Sequence, residues 1–261
     1  VGKWAREKHE RLRKYLGTAR AVRRKFLGAG KAGATYIDLY CNTGRARERG
    51  TGELLDGSAL IAWDEAVAGA SQFTSVYIAD RDQVAVDACA ARLTNRGAPV
   101  HSFTGVAEET ATLIASNLNP YGLHFAFLDP YNLEALPFSV IQSLSALKRM
   151  DMLIHVSAQD LQRNLRRYID SDTCPLDTFC PGWRKVVEVG ERDEVIRIKV
   201  FHHWLNLIKG LEGMSPSEGI ELVRADKNQP LYWLVLVSRD KRAHEFWDKI
   251  RHIDGQVEMM F

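Results

Sequence analysis

Phe127-Leu128-Asp129-Pro130-Tyr131-Asn132 closes an apolar run, residues 124–128, with an acid, a proline and an aromatic. The run reads as the fourth strand of a chain in which short apolar strands alternate with helical segments. Upstream, 35–40 reads as the first strand, 73–79 as the second and 100–103 as the third. Helices are expected over 58–68, 82–93 and 106–116 between them. Downstream, 137–148 reads as a helix and 152–156 as a fifth strand. Such alternation predicts parallel pairing and a doubly wound α/β sheet. In open α/β sheets chemistry collects at the carboxyl ends of the strands, which is where Asp129 stands.

The tail departs from this rhythm. Helices are expected over 159–168 and 193–209, forming a helical insertion at about 158–213. Residues 220–224 and 231–238 then read as two strands joined by six residues. That link is too short for a crossover helix, so the pair should be antiparallel. A last helix is expected over 242–253. The basic start, residues 1–33, is expected to be a helical segment ahead of the α/β domain at 34–261, with one amphipathic helix over 3–27. It is followed by Gly28, Gly30 and Gly33, and residues 41–57 read as a long polar loop.

The chain has 261 residues, 46% of them hydrophobic and 26% charged, enough for a sizeable core. No apolar run is long enough to span a bilayer. Cys41, Cys89, Cys174 and Cys180 are scattered rather than arranged as a disulfide framework, which leads to the expectation of a reducing cytoplasm. The spacing of Cys174 and Cys180 does not suit zinc, and no metal site is expected. Residues 1–31 hold eleven Lys or Arg against Glu7 and Glu10. This net of +9 leaves −7 for the rest of a chain whose total is +2. The block suits either a polyanion-binding arm, through Lys14, Arg20, Arg23, Arg24 and Lys25, or a solvated helix face. Arg163, Arg166 and Arg167 on one short helix offer a second phosphate-contact face with the same alternative.

The strand ends carry the candidate site. Asp38, Tyr40, Cys41 and Gly44 lie on the first strand and its turn, where glycine permits close approach of backbone to a ligand and Asp38 can accept from a ligand ammonium. Asp80 ends the second strand and can accept both hydroxyls of a ribose, or serve as a helix cap. Arg81 beside it can lie over an adenine. Gly105 and Val106 follow the third strand, as a flank for the adenine ring or a plain turn. At Asp129 a carboxylate can take a hydrogen bond from an exocyclic amine, whose lone pair is otherwise delocalised into its ring. Pro130 fixes the turn, and Tyr131 can stack on an extruded base. The alternative is a turn in which Asp129 caps the next helix.

Taken together, Asp38 with Gly44, Asp80, Gly105, Asp129-Pro130-Tyr131 and the terminal antiparallel pair resemble the S-adenosylmethionine-dependent methyltransferase fold. Tyr36-Ile37-Asp38-Leu39-Tyr40, Gly57-Ser58, Leu161-Gln162-Arg163-Asn164, Leu231-Tyr232-Trp233-Leu234 and Phe246-Trp247-Asp248-Lys249-Ile250 make the chain similar to the three-Cys-motif partner protein family. The resemblance implies a seven-stranded Rossmann-like sheet and S-adenosylmethionine as cofactor. It also implies a partner protein encoded nearby, with a catalytically silent binding module in phage defence as the alternative to an enzyme. Asp129-Pro130-Tyr131 with the later Pro137-Phe138 is similar to guanine-amine tRNA methyltransferases, which implies methylation of a nucleic-acid base, RNA ahead of DNA.

Overall fold

The computed structural model describes residues 1–2, 4–188, 190–225 and 229–250. Its order is α1 (Trp4–Thr18), α2 (Arg20–Arg24), β1 (Ala34–Asp38), β2 (Arg45–Arg47), β3 (Leu54–Asp56), α3 (Ser58–Ala68), β4 (Ser75–Asp80), α4 (Gln83–Thr94), β5 (Val100–Thr104), α5 (Ala107–Asn117), β6 (Leu123–Leu128), α6 (Phe138–Ser145) and β7 (Met150–Val156). There follow α7 (Ala158–Asp170), α8 (Pro175–Phe179), a 3-10 turn at Trp183–Lys185, α9 (Asp193–Lys209), β8 (Ser215–Pro216), β9 (Glu221–Arg224), β10 (Pro230–Ser238) and α10 (Lys241–Ile250). The expected last helix is present to Ile250; residues 251–253 of that expectation lie outside the described residues.

The sheet runs β5-β4-β1-β6-β7-β10. Pairing is parallel from β5 to β7. β10 enters antiparallel to β7, with Trp233 opposite Val156 and Val237 opposite Met152. On its other edge β10 pairs antiparallel with both β9 and β8, which act as one interrupted strand. This is the strand order of the class I methyltransferase fold, with its antiparallel seventh strand.

Alternation along the strands fills two cores. Ile37, Ala79 and Ala126 face α5, α6, α7 and α9, while Tyr36, Ile78, Phe125 and Phe127 face α1, α3, α4 and α10. Helices on both faces follow from strands that are apolar on both sides.

Two expectations are corrected. The single helix over 3–27 is broken near Thr18, and the segment is no free arm: Leu12, Tyr15 and Leu16 are buried in the second core. Tyr15 stacks on Phe125 at 5.3 Å between centroids, and its hydroxyl donates to Asp151 at 2.8 Å. The loop over 41–57 contains the two-stranded hairpin β2–β3, with Arg45 opposite Asp56. Its strands are too short and too charged to show an apolar period, so the pattern reads as loop.

Candidate active site

The carboxyl ends of β1, β4, β5, β6 and β7 open into one cavity of about 740 Å3. Its wall includes Tyr40, Cys41, Gly44, Asp80, Arg81, Gly105, Asp129, Pro130 and Tyr131, so nine of the eleven expected catalytic and cofactor residues meet there. Arg81 and Tyr131 are exposed at its rim, with Tyr131 95% exposed.

The other two do not line the cavity. Val106 precedes α5 as its N-cap residue, with only its neighbours Gly105 and Ala107 lining the cavity. Asp38 is fully buried, and the expectation of direct ligand contact is corrected. Its carboxylate accepts from the Ser58 hydroxyl and from the Tyr40 backbone N–H at 3.1 Å. It therefore ties the start of α3 to the end of β1. Burial pushes its carboxyl up to about 7 against those two hydrogen bonds.

Gly44 also has a packing duty. Its φ is +72°, and a Cβ there would meet Cys89 Sγ at 3.0 Å. A Cβ on Gly57 would in turn meet the Gly44 carbonyl oxygen at 3.0 Å. The Gly57 N–H donates to that oxygen at 2.7 Å, so the two glycines close the base of the β2–β3 hairpin backbone to backbone.

Asp80 organises the adjoining turn. Its Oδ2 accepts from the Asn42 N–H at 2.8 Å and its Oδ1 from the Asp82 N–H at 3.3 Å. The cap of α4 is Asp82, whose side chain accepts from Val84 and Ala85. Asp80 is thus relieved of capping and faces the cavity from a fixed position.

Around Asp129 the structure supplies residues that sequence reasoning misses. Lys8, from α1, donates to and forms an ion pair with Asp129 Oδ2. Lys8 keeps 10% side-chain exposure and Asp129 22%. His155, on β7, brings Nδ1 within 3.4 Å of Asp129 Oδ1, and its ring lies 4.4 Å from that of Tyr232. Burial, then the Lys8 ammonium, pushes His155 down to about 4, so its imidazole is neutral at pH 7. Burial acts to raise the Asp129 carboxyl, but Lys8, joined by the two neighbouring histidines once they are protonated, holds the group below the usual carboxylate range. His9, which also lines the cavity, is pushed down to about 4 by burial and by Lys8.

The 129–135 turn is braced from two sides. Asp160 on α7 accepts from the Leu133 N–H at 3.0 Å and from the Tyr168 hydroxyl at 2.8 Å. The Tyr40 hydroxyl donates to the Ala135 carbonyl at 2.7 Å. Asp129 caps no helix, since α6 begins at Phe138 with Pro137 before it.

The cations expected to contact phosphate are dispersed. Lys14, Arg20, Arg24 and Lys25 are exposed on α1, α2 and the residue following, none of them lining this cavity. Arg23 is a correction: it is buried, stacked 4.7 Å from the Phe73 centroid, and donates to Ser71 O, Ser71 Oγ and Leu16 O. Its side chain is a bracket between helices. Arg24 donates to the Gly69 and Ala70 carbonyls. On α7, Arg163 is exposed, Arg166 pairs with Asp193, and the Arg167 guanidinium lies 5.4 Å from the Tyr168 ring centroid. No group of three or more metal-ligating side chains occurs among the described residues, and no described helix is long and apolar enough to cross a membrane.

No family model matches this chain, and no curated protein matches it. Solved structures do. An O-methyltransferase from Bacillus cereus in complex with SAH is 12% identical over 87% of this chain and 80% of its own, with a TM-score of 0.48. The O-methyltransferase TomG from Streptomyces achromogenes, involved in tomaymycin synthesis and in complex with SAM, is 12% identical over 87% and 78%, with a TM-score of 0.45. An rRNA methylase from Streptococcus thermophilus is 9% identical over 85% and 93%, with a TM-score of 0.39.

Proposed function

We propose that this protein is an S-adenosylmethionine-dependent methyltransferase acting on an exocyclic amine of a nucleic-acid base. The observation that carries the reading is the meeting of Asp80, Gly105 and Asp129 in one cavity, where Asp129 already accepts from a nitrogen donor, the Lys8 ammonium. The cavity volume is that of a small-molecule site. Asp80, held by two backbone N–H groups, is the acceptor for ribose hydroxyls; Tyr40, Cys41, Gly44, Arg81 and Gly105 line the remainder of the donor's bed. Asp38 acts from behind by fixing Tyr40 and Ser58. The donor, when bound, supplies an electrophilic methyl group on a sulfonium.

The chain's own residues then orient the nucleophile. Asp129 accepts an N–H of the incoming amine, which localises the nitrogen lone pair and aligns it, and Pro130 fixes the carboxylate's direction. Tyr131 stands free at the rim as a stacking face for the base. For the amine to reach Asp129, Lys8 must give up its place. Neutral His155 leaves no second cation competing for the same carboxylate.

Calorimetric titration with S-adenosylmethionine tests the first half: heat with one site per chain is expected, and its absence at high protein concentration refutes the reading. Transfer of labelled methyl groups to pooled RNA and DNA tests the second. Asp129→Asn should lower transfer about a hundredfold and keep the donor heat.

A second reading is a catalytically silent methyltransferase-like module that serves a partner protein. The Lys8–Asp129 pair favours it, because a carboxylate satisfied from within its own chain needs no substrate. It gains if the donor binds but no RNA or DNA pool accepts a methyl group.

A further inference from the structure

A second cleft, of about 620 Å3, opens at the opposite edge of the sheet, where β6 and β7 begin and β10 ends. Its floor is apolar and includes Phe26 and Phe246, both partly buried. Its rim carries Lys25, Lys148, Arg149 and Lys241, all exposed. The ammonium groups of the three lysines have no hydrogen-bond or ion-pair partner among the described residues. Arg149 is anchored by donation to the Tyr121 carbonyl at 2.9 Å, and its guanidinium lies 5.5 Å from the Phe26 ring centroid. Of the two acids of the cleft, Asp240 pairs with Arg242, and Asp151 accepts from the Tyr15 and Ser238 hydroxyls. With six Lys or Arg against these two acids, the cleft presents an excess of positive charge around an aromatic floor.

We propose that this cleft binds a nucleotide, its base on the Phe26 and Phe246 side and its phosphate among Lys25, Lys148, Arg149 and Lys241. Phosphate alone would need the cations and not the aromatic floor; a purely apolar ligand would need the floor and not the cations. A planar base carrying a phosphate uses both, by stacking and by ion pairing. The nucleotide is either free or one unit of a single strand, and the site is separate from the cavity at the carboxyl edge.

Fluorescence anisotropy with a labelled eight-residue single-stranded RNA tests this on the full chain, with AMP and a polyglutamate of matched charge as competitors. Competition by AMP assigns the site to a free nucleotide; binding of the RNA that AMP does not relieve assigns it to a strand. The combined Lys25→Ala, Lys148→Ala, Lys241→Ala variant removes exposed side chains only, and circular dichroism checks its fold. It should bind at least tenfold more weakly, and the slope of log affinity against log salt should flatten by about two. Its heat with S-adenosylmethionine should equal that of the unaltered chain, so the outcome is independent of the donor site. Undiminished affinity in the variant, no binding of RNA or AMP at millimolar concentration, or equal competition by polyglutamate would each overturn the assignment.

Discussion

Asp38 and Asp129 are both carboxylates at strand ends, yet their surroundings drive them in opposite directions. Asp38 is sealed behind the wall with the Ser58 and Tyr36 hydroxyls and one N–H for company, and its pKa rises to about 7. In the unfolded chain the same group titrates near 3.8. The native state therefore binds the proton more tightly than the unfolded state between pH 4 and 7, and this group's contribution to stability falls as pH rises through that window. A shift of this size corresponds to at most about 4 kcal/mol. Asp38→Asn should flatten the decline, measured as urea midpoints across pH 4 to 8; an unchanged slope would show that Asp38 does not titrate there. Asp129 is the reverse case, a depressed carboxyl whose stabilisation by Lys8 is present above its unfolded pKa and lost as pH falls through the native value. Lys8→Met leaves that carboxylate buried without its cation and should cost up to about 3 kcal/mol, reduced by the 22% exposure that Asp129 retains. Adding Asp129→Asn to Lys8→Met should recover most of the loss, and a double-mutant cycle measures how much.

At the scale of elements, the N-terminal helices show what charge counting hides. Much of the +9 is answered within the fold: Lys8 by Asp129, Arg11 by Glu221, Arg6 by Glu48 and Glu53, Arg23 by carbonyls and Ser71. Arg23→Ala would leave the Ser71 and Leu16 carbonyls without their buried donor, for a loss of about 3 kcal/mol. That corresponds to a fall in melting temperature of roughly 10 °C. Arg20→Ala, on an exposed face, should change stability by less than about 0.5 kcal/mol. Equal effects in thermal melts would mean that Arg23 is no bracket. The strands and the acids at their ends were legible because a short apolar run and a terminal Asp are local signals. The partner of Asp129 was not, since Lys8 is 121 positions away and nothing local marks one lysine among eleven cations. His155 was hidden for a different reason: it sits inside a strand and looks like a core residue, and only the parallel pairing of β6 with β7 brings it beside Asp129. The β2–β3 hairpin escaped because three-residue strands of Arg-Ala-Arg and Leu-Leu-Asp carry no period to read.

Across the whole molecule, the cavity is a joint among segments that are remote along the chain. Ala5, Lys8 and His9 from α1, residues 39–42 and 44–46 after β1, Asp80 at the end of β4 with Arg81 following it, Gly105 after β5, and residues 129–132 and Ala135 after β6 all contribute to one wall. A ligand filling it contacts the native arrangement and nothing in the unfolded chain, so it stabilises by mass action. At a hundred times its dissociation constant, S-adenosylhomocysteine should add about 2.7 kcal/mol and raise the melting temperature by roughly 5–10 °C. The distribution of the effect is the sharper test. Hydrogen exchange should slow together in the N-terminal turns of α1, in residues 39–46 and in residues 129–135, because openings of these segments all release the same ligand. The cleft at the amino edge, around Lys25 and Lys148, should exchange as before. Protection confined to residues 39–46 and 80–81 would mean that the donor's bed excludes α1, and Lys8 would then be a purely structural partner of Asp129. Protection reaching α1 would instead mean that the N-terminal helix belongs to the site, and that whatever draws Lys8 away from Asp129 governs access to it.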